Sequence, residues 1–164
     1  MNPPATDYCP ACGTRNRHIE HDGRLRPICP ACGHITYVDA KTAVVTMLLH
    51  DDHVLLVQRR YDPGCGKWGL PGGFAEYGED PRETARREVA EETGLIARIT
   101  DLLDVFFVEN GVITIGYRGI VTGGDLHAED DAEAAAWFPR EALPELVFLS
   151  TVSLCQRWQR GEIS

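Results

Sequence analysis

Between Gly73 and Leu95 the chain reads G-F-A-E-Y-G-E-D-P-R-E-T-A-R-R-E-V-A-E-E-T-G-L, a glycine turn followed by one helix with both ends marked. Pro81 suits the first helical turn, where a missing N–H costs nothing, and Asp80 stands before it as N-cap. Gly94 marks the stop, since glycine takes the left-handed C-terminal conformation without strain. Within this helix Glu88, Glu91 and Glu92 fall at i, i+3 and i+4, so their carboxylates leave one face. Like charges at that spacing repel, and anions in the last turns oppose the helix dipole. Ion pairs Glu83–Arg87 and Arg87–Glu91 are expected on the same helix, leaving Glu88 and Glu92 with no local cation. A solvated charged helix accounts for the ion pairs but not for the cluster. A hard divalent cation, Mg²⁺ or Mn²⁺, accounts for both, because carboxylate oxygens are its ligands.

A second pattern precedes it. Cys9-Pro10-Ala11-Cys12-Gly13 and Cys29-Pro30-Ala31-Cys32-Gly33 are near-identical knuckles. Paired C-x2-C units at this separation suit Zn²⁺ held by the four thiolates of Cys9, Cys12, Cys29 and Cys32 in a closed structural site. Two disulfides are the competing reading. The first residues lack the charged and apolar regions of a secretory leader, which favours reduced thiols and a cytoplasmic location. About thirty residues cannot build a sufficient core, so a metal is expected to fold this segment. Residues 1–39 are therefore read as a zinc ribbon and 40–164 as a second domain.

The spacing Gly73-x5-Glu79-x7-Arg87-Glu88-Val89-x-Glu91-Glu92-x-Gly94-Leu95 resembles the Nudix box at each fixed position. The resemblance runs from about Lys41 onward. Gly66-Lys67-Trp68-Gly69-Leu70-Pro71-Gly72 is similar to the family's approach to the box. Ala136-Trp137-Phe138-Pro139 and Glu141-Ala142-Leu143-Pro144 are similar to its late strand and a short helix. The resemblance implies an α+β fold, an α/β/α sandwich about a mixed sheet, and a catalytic set of Glu79, Arg87, Glu88, Glu91 and Glu92. It implies a Mg²⁺ or Mn²⁺ site made by Glu88, Glu91, Glu92 and the carbonyl of Gly73, with Arg87 and Glu79 orienting the carboxylates. Glu88 is the first choice for activating water. The later acidic loop offers Glu129, Asp130, Asp131 and Glu133 as alternatives.

A zinc ribbon followed by such a domain resembles the NADH pyrophosphatase lineage and its relatives acting on ADP-ribose or FAD. The S-Q-P-W-P-F-P-x-S array of that lineage is replaced by Ile96-Ala97-Arg98-Ile99-Thr100-Asp101. The proline of ADP-ribose pyrophosphatases is also missing, since none occurs between Pro81 and Pro139. The expected activity is metal-dependent hydrolysis of a nucleoside diphosphate linked to another group: ADP-ribose, FAD, NADH or a nucleotide sugar. Two alternatives stay open, a pyrophosphohydrolase that sanitises nucleoside triphosphates, and a ligand-sensing regulator that binds nucleic acid. Arg59, Arg60 and Lys67 flank the approach to the box and could reach phosphates, and Phe74 and Glu133 are further candidate substrate contacts.

Composition restricts the partners. A net charge of −9 disfavours broad attraction to a nucleic acid backbone, and no apolar run reaches membrane-spanning length. A nucleotide-derived small molecule is the expected partner, and a homodimer is left open. Strands are expected over Lys41–Leu49, Val54–Arg59, 96–108, 112–122 and Ala134–Phe138, with a hairpin turn at Asn110-Gly111 and a final helix over 150–160.

Overall fold

The computed structural model describes residues 6–108 and 111–164; the leader reading and part of the Asn110-Gly111 turn lie outside them. The chain divides into two compact units, Met1–Ala40 and Lys41–Ser164.

In the first unit β1 (Arg17–His21) and β2 (Arg24–Ile28) form an antiparallel ribbon. Asp22 and Gly23, at φ 52° and 70°, make the tight turn between them. The knuckles repeat one geometry. Cys9 N–H donates to Thr14 O at 2.8 Å and Gly13 N–H to Cys9 O at 2.9 Å. Cys29 N–H donates to His34 O at 2.9 Å and Gly33 N–H to Cys29 O at 3.0 Å. Gly13 and Gly33, at φ 71° and 74°, supply the left-handed residue that each turn needs.

The second unit runs β3 (Lys41–His50), β4 (His53–Arg59), β5 (Trp68–Gly69), α1 (Pro81–Thr93), β6 (Leu95–Val108), β7 (Val112–Gly124), β8 (Ala132–Pro139) and α2 (Leu149–Gln159). The sheet is mixed, since β3 lies parallel to β7 while the other pairings are antiparallel. Both faces of β3 and β4 are covered, which is why these strands read as apolar runs without alternation. Val45, Met47, Val54 and Leu56 pack against Leu154, Cys155 and Trp158 of α2. Their neighbours Leu48 and Leu55 pack with Val89, and Val44 with Ala85, both from α1. Each such fully buried Leu or Val contributes about 1.5–3 kcal/mol. The result is the expected sandwich, one helix on each face of a mixed sheet.

The feature that positions the site is a split in this sheet. β3 and β4 pair only at Leu49↔Val54 and His50↔His53 before diverging. The segment after β5 fills the gap. Thr46 N–H donates to Pro71 O and Val44 N–H to Gly73 O, both at 2.8 Å. A side chain at Gly72 would collide with the Val44 backbone, so glycine is required for this approach.

The short helix expected at Glu141–Pro144 does not form; Arg140 and Glu141 make a turn, and residues 142–145 have no regular secondary structure. Pro139 and Pro144 bracket too few residues, and Pro144 disfavours helical geometry at Leu143. No helix among the described residues is long and apolar enough to cross a membrane.

Candidate active site and metal centres

Helix α1 forms as its sequence dictates. Asp80 accepts from Arg82 N–H at 2.8 Å, and Gly94, at φ 68°, closes the other end by donating to Ala90 O. Arg87 then organises the surface. Its Nε and Nη2 reach the two oxygens of Glu79 at 2.9 and 3.1 Å, a bidentate pair. Its Nη1 donates to Glu88 Oε1 and Glu91 Oε2, each at 2.8 Å. Nη2 also donates to Phe74 O at 3.1 Å, which ties the turn after Gly73 to the helix. Two expectations are corrected by this hub. Glu83 pairs with Arg86 rather than Arg87, and Glu88 does have a local cation. Arg87 turns toward Glu79 because the turn before the helix delivers that carboxylate, whereas Glu83 lies against the neighbouring arginine.

Glu92 is different. It is 4% exposed, and Gly72 N–H donates to its Oε2 at 2.8 Å. The split sheet thus places a backbone donor beneath the buried end of the glutamate cluster. Glu88 packs directly onto Gly73, where any Cβ would overlap its carboxylate. Gly73 O already accepts from Val44 N–H, which leaves one lone pair of that carbonyl for another partner.

A further carboxylate joins them from the loop after β7. Glu129 N–H donates to Glu92 O, which brings this loop to the cluster, and among the four acidic residues considered there Asp131 is the one whose charge bears on both Glu92 and Glu88. Glu133 faces solvent. In the β4–β8 register Gln58 pairs with Ala134 and Arg59 with Ala132, so Glu133 is the extra residue of a bulge. A bulge of this kind leaves no mark in the sequence, which is why Asp131 could not be told from its neighbours. The same loop caps α1: His127 N–H donates to Thr93 O at 3.1 Å and Glu129 N–H to Glu92 O at 3.4 Å. The His127 imidazole is raised in pKa by the Asp125 carbonyl and by Glu129, and its protonated form would suit the nearby helix C-terminus.

The electrostatics follow from burial. Desolvation pushes the Glu92 carboxyl up to about 8 against the Gly72 N–H, with Asp131 and Glu88 adding to the rise. Glu88 is raised by the same cause, opposed by Arg87. Glu79 is held down to about 2 by the Arg87 guanidinium. Glu88, Glu91, Glu92 and Asp131 do not converge on one point as they stand; like charge and burial oppose their ionisation, and a hard cation would favour the ionised forms and draw them together.

The remaining candidates have partners of their own. Arg59 Nε donates to Pro63 O at 2.8 Å, and its guanidinium lies 5.1 Å from the Phe148 ring. Lys67 pairs with Glu145 at 2.5 Å. Arg60 reaches two carbonyls of the acidic loop, Asp130 O at 2.7 Å and Ala132 O at 3.0 Å. Phe74 is half exposed, with Lys41 Nζ 5.4 Å from its ring.

In the first unit the ligand atoms of Cys9, Cys12, Cys29 and Cys32 all lie within 4.8 Å of one another, and no other such group occurs among the described residues. Cys9 and Cys32 sulfurs are 3.7 Å apart and Cys12 and Cys29 3.5 Å, so the disulfide reading is set aside. Four thiolates about 2.3 Å from a tetrahedral ion would be roughly 3.8 Å apart, so the set fits a metal. The Thr14 hydroxyl beside Cys12 pulls that thiol down to about 6, while against the His34 backbone the neighbouring Cys29 and Cys12 push Cys32 up to about 12, so the thiols share their protons unevenly in the absence of a metal.

The NUDIX domain profile matches residues 40–152, and the Nudix N-terminal zinc-ribbon profile matches residues 7–38. The chain belongs to the Nudix family. Over 132 residues it is 37% identical to an ADP-ribose pyrophosphatase of Methanocaldococcus jannaschii, covering 76% of this chain and 78% of that protein. Over 142 residues it is 30% identical to the NAD-capped RNA hydrolase NudC of Pseudomonas aeruginosa, covering 85% of this chain. It spans 50% of the length of that second relative. A solved NUDIX hydrolase from Nitrosomonas europaea superposes with a TM-score of 0.87 at 27% identity, over 94% of this Nudix chain and 90% of the other.

Proposed function

We propose that the protein is a divalent-metal-dependent pyrophosphohydrolase that cleaves a nucleoside diphosphate linked to another group, with ADP-ribose-type substrates foremost. The observation that carries this reading is the burial of Glu92 beside Glu88 and Asp131, against a glycine turn that supplies one N–H. Glu88, Glu91, Glu92 and the Gly73 carbonyl would hold Mg²⁺ or Mn²⁺. When bound, such a cation neutralises the non-bridging phosphate oxygens and acidifies water. Arg87 and Glu79 fix the carboxylates through the hydrogen bonds described above. Either Glu88 or Asp131 accepts the proton of the attacking water, both being carboxylates placed beside the cluster. The relatives support the substrate class, since the Methanocaldococcus protein is named for ADP-ribose and the Pseudomonas protein for NAD-capped RNA. Zn²⁺ is the ion proposed for the four cysteines, in a closed structural role.

The test is a hydrolysis screen with Mg²⁺ and with Mn²⁺ against ADP-ribose, NADH, FAD, nucleotide sugars and deoxynucleoside triphosphates. ADP-ribose is expected to give the highest kcat/KM, with AMP as a product. Turnover of the triphosphates alone would transfer the assignment to the sanitising class.

A further inference from the structure

Arg60 stands at the end of β4, where sequence suggests a phosphate contact, yet its donors converge on the acidic loop. Its backbone N–H donates to Asp131 O at 3.0 Å, Nη1 to Asp130 O at 2.7 Å and Nη2 to Ala132 O at 3.0 Å. One residue thus holds three successive carbonyls. The segment it grips is a tight turn: Ala132 N–H donates to Glu129 O at 3.1 Å, and Asp130 sits at φ 54°. That left-handed conformation is uncommon outside glycine and needs support from its surroundings. On one side of the turn Ala132 is buried and Glu133 bulges outward; on the other, Glu129 N–H meets the Glu92 carbonyl. A planar fork suits this task, because its donors are fixed relative to one another while a lysine ammonium offers a single point.

We propose that Arg60 is a positioning residue that sets the Asp130–Ala132 turn, and with it the place of Asp131 beside the Glu92 end of the cluster. This rests on the reading of that cluster as the catalytic centre, and it gives Arg60 a role through Asp131 in place of a direct contact with substrate phosphate.

The two roles separate by substitution. If Arg60 acts through Asp131, Arg60→Gln and Arg60→Lys both lower kcat by about 10–100-fold, the scale for groups that orient active-site ligands. KM then stays within about twofold, since ground-state binding is untouched. In an Asp131→Asn background, Arg60→Gln brings no further loss. Amide exchange at Glu129 and Ala132 rises severalfold in Arg60→Gln, a readout independent of any substrate. If instead KM rises with kcat preserved, if Arg60→Lys retains wild-type turnover, or if the losses of Arg60→Gln and Asp131→Asn multiply, the proposal is overturned and Arg60 is a phosphate contact. Unchanged exchange at the turn overturns it as well. Failure of the wild-type protein on every diphosphate would strike the catalytic reading instead, and the exchange measurement would still decide the clamp.

Discussion

The four cysteines and the glutamate cluster are both candidate metal-binding sets, and they are assembled in opposite ways. Each cysteine pair comes from one short turn closed by its own backbone hydrogen bonds, and the four sulfurs already meet around a single point. The carboxylates come from the turn between Gly73 and α1, from α1 itself and from the loop before β8, and they are restrained by Arg87, Gly72 and the turn at Asp130. Beyond those turns the ribbon has little core of its own, so a metal held there would be part of that fold. The carboxylates sit on a scaffold with a core of its own, so a cation there can exchange without loss of the fold. On the proposed reading, local repetition would build a permanent site and long-range assembly a reversible one.

The largest expected effect breaks the carboxylate side alone. Glu91→Gln and Glu92→Gln each lower kcat by orders of magnitude, while circular dichroism and the thermal midpoint report an intact fold. Near-normal turnover in both would remove the metal site from this helix. Brief EDTA treatment likewise abolishes hydrolysis, and Mg²⁺ or Mn²⁺ alone restores it. The ribbon keeps its zinc meanwhile, as judged by metal analysis of the desalted protein.

The cysteine side breaks differently. Cys9→Ser or Cys29→Ser, at the two buried positions, releases zinc and unfolds residues 8–38, which collapses their amide dispersion in NMR spectra. The signals of residues 41–164 persist. Full zinc retention in both variants would show that the sulfurs are not the ligands.

How much of each site could be read in the sequence follows the same division. The knuckles were legible in full, because ligand, turn and glycine lie within five residues of one another. The box was legible where its contacts are helical: Asp80, Pro81, Gly94 and the Arg87–Glu91 pair stand where spacing puts them. What depends on the split between β3 and β4 was hidden. Nothing in the order of residues tells that Gly72 donates to Glu92, or that a bulge at Glu133 turns Asp131 inward. The sequence offers Arg59, Arg60 and Lys67 as candidate phosphate contacts and cannot show their partners, since Pro63, Ala132 and Glu145 are selected by tertiary packing.

A smaller effect sharpens the comparison by loosening the carboxylates without deleting any. Arg87→Lys keeps a charge but loses the fork that joins Glu79, Glu88 and Glu91. A fall of about 10–100-fold in kcat is expected, with weaker Mn²⁺ binding by titration calorimetry. Glu79→Gln should reproduce most of it. Wild-type Mn²⁺ affinity in both variants would mean that the hub is only a surface ion-pair network.

The smallest effect concerns stability and has a definite sign. In the fold without added cation, burial raises the Glu92 carboxyl from an ordinary 4.5 to about 8, with Glu88 shifted the same way. Between these values the folded protein keeps a proton that the unfolded chain has released. The contribution of this carboxyl is therefore full below pH 4.5 and is lost as pH rises toward 8. One pKa unit corresponds to about 1.4 kcal/mol, so the loss is on the order of a few kcal/mol at most. Urea denaturation at pH 6 and pH 8 measures it. Glu92→Gln, which cannot ionise, should flatten this dependence and leave the variant more stable than wild type at pH 8. His127, also raised, loses its stabilising charge in the same direction, but it is present in both proteins and cancels in their difference. Added Mn²⁺ should stabilise the wild type most at the higher pH, where the carboxylate is free to bind, and do far less for Glu92→Gln. The four cysteines predict no such cation response at this end of the chain, because their ligands are soft and their site is closed. A wild-type protein as stable at pH 8 as at pH 6, with no gain from Mn²⁺, would show that Glu92 is an ordinary buried acid and that the two sites differ less than their assembly suggests.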